Sequence, residues 1–245
     1  MDYYEISKTA SSQVSGHPGL EFLKHACQSA VKVLDVGCGE GTRLNTMLAK
    51  GARGWGIDPS SKAISKAKSQ FPRHYFKIAT GEKLPFASNT FDLVYSAFAI
   101  EHCLDPRLFI QEMVRVTKKD GQVVILAPNY GAPNRRSPVS TEIASNKLVQ
   151  GTIKDLFPPQ SLDWDQVTPK PQYDQIDDDT TWEPYVNSLA RYLSSKHLTI
   201  QKISSLWVLE PPPQKLHHKL FSFLGKMGIY PFKYWGPQVF ISALK

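Results

Sequence analysis

A run of glycines, two spaced acids and one histidine carry the chemistry this sequence is equipped to do. Asp35, Gly37, Cys38, Gly39 and Gly41 fall in one short segment, and Asp58 with Pro59 follows, Asp58 lying 21 positions after Gly37. Glycine allows a sharp turn after an extended strand, and the missing Cβ at Gly39 lets a ligand approach the main chain. Free amides at the next helix start favour an anionic group. An acid about 20 residues on is placed to reach ribose hydroxyls, so the unit reads as a holder for a nucleoside-bearing cofactor. Cys38 suits its place by small size. Downstream, His102 beside Glu101 offers a proton acceptor near neutral pH, worth about 10² to 10⁴ in rate where a reaction needs one. Glu101 is able to orient it. The alternative, that both only begin a short helix, stays open. Tyr130 offers a hydroxyl for an acceptor molecule or an anchor for a lid. No cysteine or histidine pair has metal-ligand spacing, and no metal is expected. His217 and His218, adjacent on a helix, are expected to point apart.

The elements that must position these groups follow from periodicity. Val31 to Val36 is an apolar run suited to a strand buried on both faces, followed by a helix from Thr42 to Ala49 and a strand from Arg53 to Ile57. Ser60 caps a helix carrying Ala63, Ile64 and Ala67, and His74 to Ile78 is the third strand. Thr90 to Ser96 is the fourth. Asp105 before Pro106 starts a helix with an apolar stripe at Phe109, Ile110, Met113 and Val116, and Gly121 turns the chain into a strand from Gln122 to Ala127. Trp182 to His197 reads as an amphipathic helix, with strands near Leu198 to Val208 and from Gln238 to Leu244. The alternation implies an α/β, Rossmann-like fold.

The glycine spacing departs from the dinucleotide pattern, since Thr42 stands where a last glycine or alanine would fall. The segment instead resembles the first motif of class I S-adenosylmethionine-dependent methyltransferases, with Asp58 as the matching ribose acid. Gly81-Glu82-Lys83-Leu84-Pro85-Phe86 resembles the adenine-side loop, and the segments from Thr90, Glu112 and Asp120 resemble the fourth strand and the helix and fifth strand of the subgroup that includes ubiquinone and menaquinone biosynthesis methyltransferases. The resemblance spans about residues 30 to 130. It implies a seven-stranded sheet of order 3-2-1-4-5-7-6 with the seventh strand antiparallel, and S-adenosyl-L-methionine as cofactor. It assigns Gly37 and Gly39 to the methionyl part, Asp58 to the ribose, Thr80, Gly81 and Glu82 to the adenine side, and Ser96 or Phe98 to the sulfonium neighbourhood. The family usually carries an aspartate where Thr80 precedes Gly81. His102 would then emerge at the cofactor's methyl end.

The 245 residues, 41% hydrophobic, suffice for one undivided methyltransferase domain, residues 1–245. Residues 1–30, with Tyr3, Tyr4 and His17, are expected as an N-terminal flap. An insertion at 128–180 holds seven prolines and several aromatics and reads as an ordered lid, helical within 140–157. A second, at 210–234, is basic: from residue 200 onward six lysines face one acid, +5 of the total +7. Leu216, Leu220, Phe223, Leu224 and Met227 recur there at helical spacing, a pattern that suits an anionic bilayer surface and equally a helix packed on its own domain. Three cysteines, an odd number, fit a reducing compartment, and neither a signal peptide nor a spanning stretch is seen. The expected location is cytoplasmic, with peripheral membrane contact open. The reading is O- or C-methylation of a small-molecule or lipid-linked acceptor. A non-catalytic cofactor-binding or membrane-surface partner is the alternative, with RNA methylation and NAD-dependent oxidoreduction behind it. Oligomeric state is not readable.

Overall fold

The computed structural model describes residues 16–159, 161–170, 177–207 and 216–245. Helix α1 (Pro18–Ser29) precedes β1 (Val33–Val36), α2 (Thr42–Met47), β2 (Trp55–Asp58), α3 (Ser61–Gln70), β3 (Tyr75–Ile78) and β4 (Phe91–Ala97). A 3-10 turn, Ile100–His102, leads to α4 (Pro106–Val116) and β5 (Thr117–Pro128). The remainder is α5 (Ala144–Leu156), β6 (Asp165–Gln166), β7 (Trp182–Glu183), α6 (Val186–Ser195), β8 (Thr199–Leu206), α7 (Leu216–Lys226) and β9 (Gln238–Leu244). Seven strands form one sheet in the order β3-β2-β1-β4-β5-β9-β8, with β6 and β7 as a separate antiparallel pair. Setting that pair apart gives the expected order. The chain divides into two compact units: Met1–Ala99 with Asp105–Val124 and Leu244–Lys245, and Ile100–Leu104 with Ile125–Ala243.

In the first unit β1 is buried along its whole length and pairs in parallel with β2 and β4. Its helices start where their caps require. Ser60 Oγ accepts from Ala63 N–H at 3.2 Å, and Asp105 Oδ1 accepts from the N–H groups of Arg107 and Leu108 at 2.8 and 3.3 Å. Helix α4 buries Pro106, Phe109, Ile110, Met113 and Val116, the stripe read from sequence. Its outer side fastens the 81–86 loop: Glu112 accepts from Leu84 N–H at 2.8 Å, and Arg115 donates to the carbonyls of Leu84 and Phe86. Asp92 is structural, accepting from Lys32 N–H and from Lys118 Nζ. Strand β5 begins at Thr117 rather than Gln122. Asp120 there takes the left-handed backbone, φ 61°, a local bend that lets the strand begin before Gly121.

In the second unit the 128–180 insertion contains α5 and β6, the helix falling within the stretch expected. The helix expected from Trp182 instead begins at Val186. Trp182 and Glu183 pair with Gln166 and Asp165, because Pro184 disfavours helical backbone at the residue before it. Two side chains organise this unit. Asn129, fully buried, donates from Nδ2 to the carbonyls of Tyr234 and Gly236, both at 2.7 Å, and accepts from Val186 N–H at 3.1 Å. Asp155 accepts from Tyr185 Oη, Asn187 Nδ2, Tyr230 Oη and Trp235 Nε1. Lys147 and Glu183 form a buried ion pair. Helix α7 buries none of its residues, although Phe221 packs on Trp207 and Phe232. His217 and His218 do not diverge. Their ring centroids lie 4.2 Å apart, because His217 leans toward Phe221, one turn on. Tyr3 and Tyr4, and 210–215 of the basic insertion, lie outside the described residues. No helix among the described residues is long and apolar enough to cross a membrane.

The Asn129 node yields the first prediction. Asn129→Ala leaves two buried backbone groups and one part-buried one without their partner, so urea unfolding should show a loss of about 2 kcal/mol or more. Asn129→Asp, which keeps the acceptor but loses both donors, should also destabilise. A loss within about 0.5 kcal/mol for the alanine variant would refute the role.

Candidate active site

The glycine segment forms a cradle at the carboxyl end of β1. Gly37 and Cys38 both donate their N–H groups to the Ile57 carbonyl at 2.9 Å, and Gly39 N–H donates to Asp58 Oδ2 at 2.9 Å. Asp58 Oδ1 accepts from Ser60 N–H, so one carboxylate ties the loop after β1 to the start of α3. Gly37, Gly39 and Gly41 all have left-handed backbone, at φ 84°, 52° and 78°. A Cβ built on Gly37 would strike Ala99, whereas one on Gly39 would meet no protein atom within 4 Å. The space over Gly39 is therefore open. Cys38 is buried with its side chain against the position of Gly56, as its small size requires. Pro59 and Thr80 are exposed, and Gly81 packs where a side chain would run into the Phe109 ring. Glu82, expected on the adenine side, accepts from Asp105 N–H at 3.3 Å.

Asp35 is the most unusual group of the cradle. It is 1% exposed; its Oδ2 accepts from Tyr95 Oη at 2.8 Å, and its Oδ1 has no hydrogen-bond partner among the described residues. Burial pushes its carboxyl up to about 7 against the lowering effects of Arg43 and the Tyr95 hydrogen bond. Asp58 is also raised by burial, opposed by its two backbone N–H partners. Ser96 Oγ is buried and equally unpartnered. Arg43 donates from Nη1 to the Ala97 carbonyl at 2.7 Å and lies 5.5 Å from the centre of the Phe98 ring. Phe98 itself has φ 56°, and the buried His17 ring meets it edge-on at 6.1 Å. In the sequence Arg43 shows only as a basic residue in the first turn after the glycines.

The second unit brings Glu101, His102 and Tyr130 into one cluster with Asp177 and Asp179. His102 Nδ1 lies 3.2 Å from Asp179 Oδ1, and Nε2 lies 3.7 Å from Glu101 Oε1. Tyr130 Oη donates to Asp177 Oδ2 at 2.6 Å. Burial raises the Glu101 carboxyl to about 7, with His102 opposing. Burial alone would lower the His102 imidazole, but the carboxylates of Glu101 and Asp179 raise it overall. Thr181 straps the cluster, donating its N–H and Oγ1 to the Glu101 carbonyl and Oγ1 also to that of Cys103. The ligand atoms of Glu101, His102 and Asp177 lie within 4.8 Å of one another, a grouping that sequence spacing did not show.

Residues 34–125 match the family model described as a methyltransferase domain. Among curated relatives, the malonyl-[acyl-carrier protein] O-methyltransferase of Erwinia pyrifoliae is 33% identical over 115 residues, 46% of this chain and 44% of the relative. The ubiquinone/menaquinone biosynthesis C-methyltransferase UbiE of Campylobacter jejuni is 29% identical over 118 residues, 42% of this chain and 50% of the relative. The chain spans about half the length of the curated relatives it matches. An S-adenosylmethionine-dependent methyltransferase from Mesorhizobium loti shares the fold, with TM-score 0.60 and 16% identity over 95% of this chain and 100% of that one. The cofactor that these similarities imply is S-adenosylmethionine. The cradle fits it: the open space over Gly39 accepts a ligand against the backbone, and Asp35 Oδ1 is a buried acceptor that needs a donor.

The Asp35 carboxyl, raised above its unfolded value, makes burial of the ionised form costly. That cost is absent below about pH 4, grows as pH rises to about 7, and is constant beyond. Without cofactor, Asp35→Asn should therefore gain thermal midpoint relative to the native chain as pH rises through this window. A difference independent of pH between about 4 and 7 would contradict the assignment.

Proposed function

We propose that this chain transfers a methyl group from S-adenosylmethionine to an oxygen or carbon atom of a small-molecule or lipid-linked acceptor. The observation that carries the reading is the buried, half-satisfied Asp35 carboxylate beside a glycine cradle with open space over Gly39. Bound S-adenosylmethionine supplies an activated methyl group on a sulfonium. In this reading the backbone at Gly37, Cys38, Gly39 and Gly41 lines the methionyl part, and Asp35 Oδ1 takes its ammonium. Ser96 and Phe98 stand at the sulfonium side. Asp58 keeps lone pairs for the ribose hydroxyls while fastening Gly39, with Pro59 beside it, and Thr80, Gly81 and Glu82 form the adenine side. Positioning is able to supply most of the catalysis, about 7 to 11 kcal/mol in well-oriented reactions. Loss of the acceptor's proton falls to His102, held between Glu101 and Asp179, with Tyr130 offering a hydroxyl to the acceptor.

Relatives named for O- and for C-methylation support an acceptor of either kind. The lipid-linked form has separate support. Leu216, Leu220 and Phe223 on α7 and Met227 just after it are 53 to 83% exposed, and Ile153, Leu156 and Phe157 at the end of α5 are 47 to 78% exposed. Asp155, next to Leu156, accepts from Tyr230 and Trp235 just beyond α7, so both apolar groups flank one carboxylate. Lys219 and Lys226 lie on α7 itself, which suits a peripheral contact with an anionic lipid surface.

Three measurements test this. Calorimetric titration of the full chain with S-adenosylmethionine should give saturable binding. Gly39→Ala, whose Cβ meets no protein atom although the left-handed backbone strains it by about 1 to 2 kcal/mol, should weaken it at least about tenfold with the far-ultraviolet spectrum unchanged; undiminished binding would sink the cradle assignment. If binding is tight but no S-adenosylhomocysteine forms with quinone, phenol, sugar or lipid acceptors, a non-catalytic role is favoured instead. Sedimentation with phosphatidylserine-containing vesicles should retain the chain, with neutral vesicles retaining less and Leu220→Glu with Phe223→Glu releasing it. Equal retention of native and doubly substituted chains would refute the lipid contact.

A further inference from the structure

The cluster assigned to the acceptor side carries more negative charge than a proton-transfer pair needs. Glu101 is fully buried, and neither carboxylate oxygen has a hydrogen-bond partner among the described residues. Asp177 and Asp179 add two more carboxylates, while Asp178 between them is engaged by Lys170 at 2.7 Å. Among the described residues, His102 is the only side chain in ion-pair contact with Glu101 or Asp179, and it is able to offset one charge of three. Tyr130 gives Asp177 a neutral donor only. A buried carboxylate without compensation costs several kcal/mol, a cost that either a proton on Glu101 or a bound cation removes.

We propose that Glu101, His102 and Asp177, with Asp179 beside them, bind one divalent cation through carboxylate oxygen and imidazole nitrogen. This rests on the preceding reading only for what the ion would do, and it replaces the proton-acceptor role of His102 while the ion is bound. The spacing is that of ligands rather than of hydrogen-bond partners. His102 Nε2 and Glu101 Oε1 lie 3.7 Å apart, too far for a hydrogen bond. Donors sharing an ion at about 2.1 Å sit roughly 3.0 to 3.4 Å apart, so a shift of a few tenths of an ångström completes the pair. The third donor is already near, since the ligand atoms of all three residues fall within 4.8 Å of one another.

The site is also held as a metal site needs to be. Thr181 straps the Glu101 and Cys103 carbonyls to the far side of the 177–181 turn, and Tyr130 fixes Asp177 by the oxygen it donates to. Asp177 has left-handed backbone, φ 68°, so the turn is constrained rather than relaxed. Mixed oxygen and single-imidazole ligation matches a Mn²⁺-like ion better than the thiolate or multi-histidine sites of softer metals. Three protein donors leave positions open for oxygen atoms of an acceptor, which favours acceptors bearing two neighbouring oxygens. With the ion bound, His102 is a ligand, and it serves as a proton acceptor only in the ion-free site.

The test uses the full chain, dialysed against chelator, titrated with Mn²⁺ and followed by its electron paramagnetic resonance signal, without cofactor or acceptor. Failure of methyl transfer therefore leaves the result untouched. One Mn²⁺ per chain should bind, with loss of at least about tenfold in affinity for Asp177→Asn and for His102→Gln. Asp165→Asn, whose carboxylate is engaged by Lys154 rather than by the cluster, should bind as the native chain does. Glu101→Gln guards against misfolding as an explanation: it should lose the ion while its ion-free thermal midpoint equals or exceeds that of the native chain. Absence of saturable binding of Mn²⁺, Mg²⁺ or Zn²⁺ below about 1 mM would overturn the proposal. So would unchanged Mn²⁺ affinity in Asp177→Asn and His102→Gln, which would leave His102 as the cluster's only cation.

Discussion

The Ile57 carbonyl accepts two hydrogen bonds, from Gly37 and Cys38, and the next residue, Asp58, takes a third from Gly39. These three contacts set the path of the loop between β1 and α2, and much of the first unit follows from them. They require left-handed backbone at the glycines, a small buried side chain at Cys38 and no side chain at Gly56. They also bring Asp58 into the same loop that Asp35 supports from below. Because Asp58 is fastened from both oxygens, the acid read as a ribose contact is equally part of the scaffold. Losing it would disturb the cradle as well as the ligand.

The second unit is organised differently, by two polar side chains, Asn129 buried and Asp155 half-buried. Asn129 collects a helix start and the segment before β9, whereas Asp155 gathers two tyrosines, a tryptophan and an asparagine. Such nodes specify geometry more sharply than apolar packing does, because each unmade hydrogen bond is costly in a dry interior. They suit an insertion-rich stretch whose own apolar stripe is short. The exposed faces of α5 and α7 are what remain after these nodes have fixed the backbone.

The cradle was legible because its chemistry is local. Glycine spacing, the buried run before it and the acid beyond it lie within one βαβ unit, so periodicity and offset suffice to read them. The capped starts at Ser60 and Asp105 were legible for the same reason. Asp177 and Asp179 were not, because they meet His102 only through a turn held by Thr181, a contact with no counterpart in spacing. Arg43 escaped because no rule of helix pattern says that a guanidinium turns back to the Ala97 carbonyl. Glu82 was assigned to ligand from its loop, yet it also spans to the start of α4. The early end of the strand pair at Glu183 turned on Pro184, a residue present in the sequence but outweighed there by the apolar stripe that follows it.

The three cysteines have a practical consequence. All are free and buried, and burial raises the thiols of Cys27 and Cys38 well above their usual range, with Asp35 adding to the effect. Cys27 and Cys38 are thereby shielded from thiol-directed reagents, and Cys103 is shielded by its burial. A single cysteine placed on an exposed helix would take a fluorophore or spin label selectively, without removing any native thiol. Conversely, slow modification of Cys38 itself would report each opening of the cradle, giving a chemical clock for the loop that holds the cofactor.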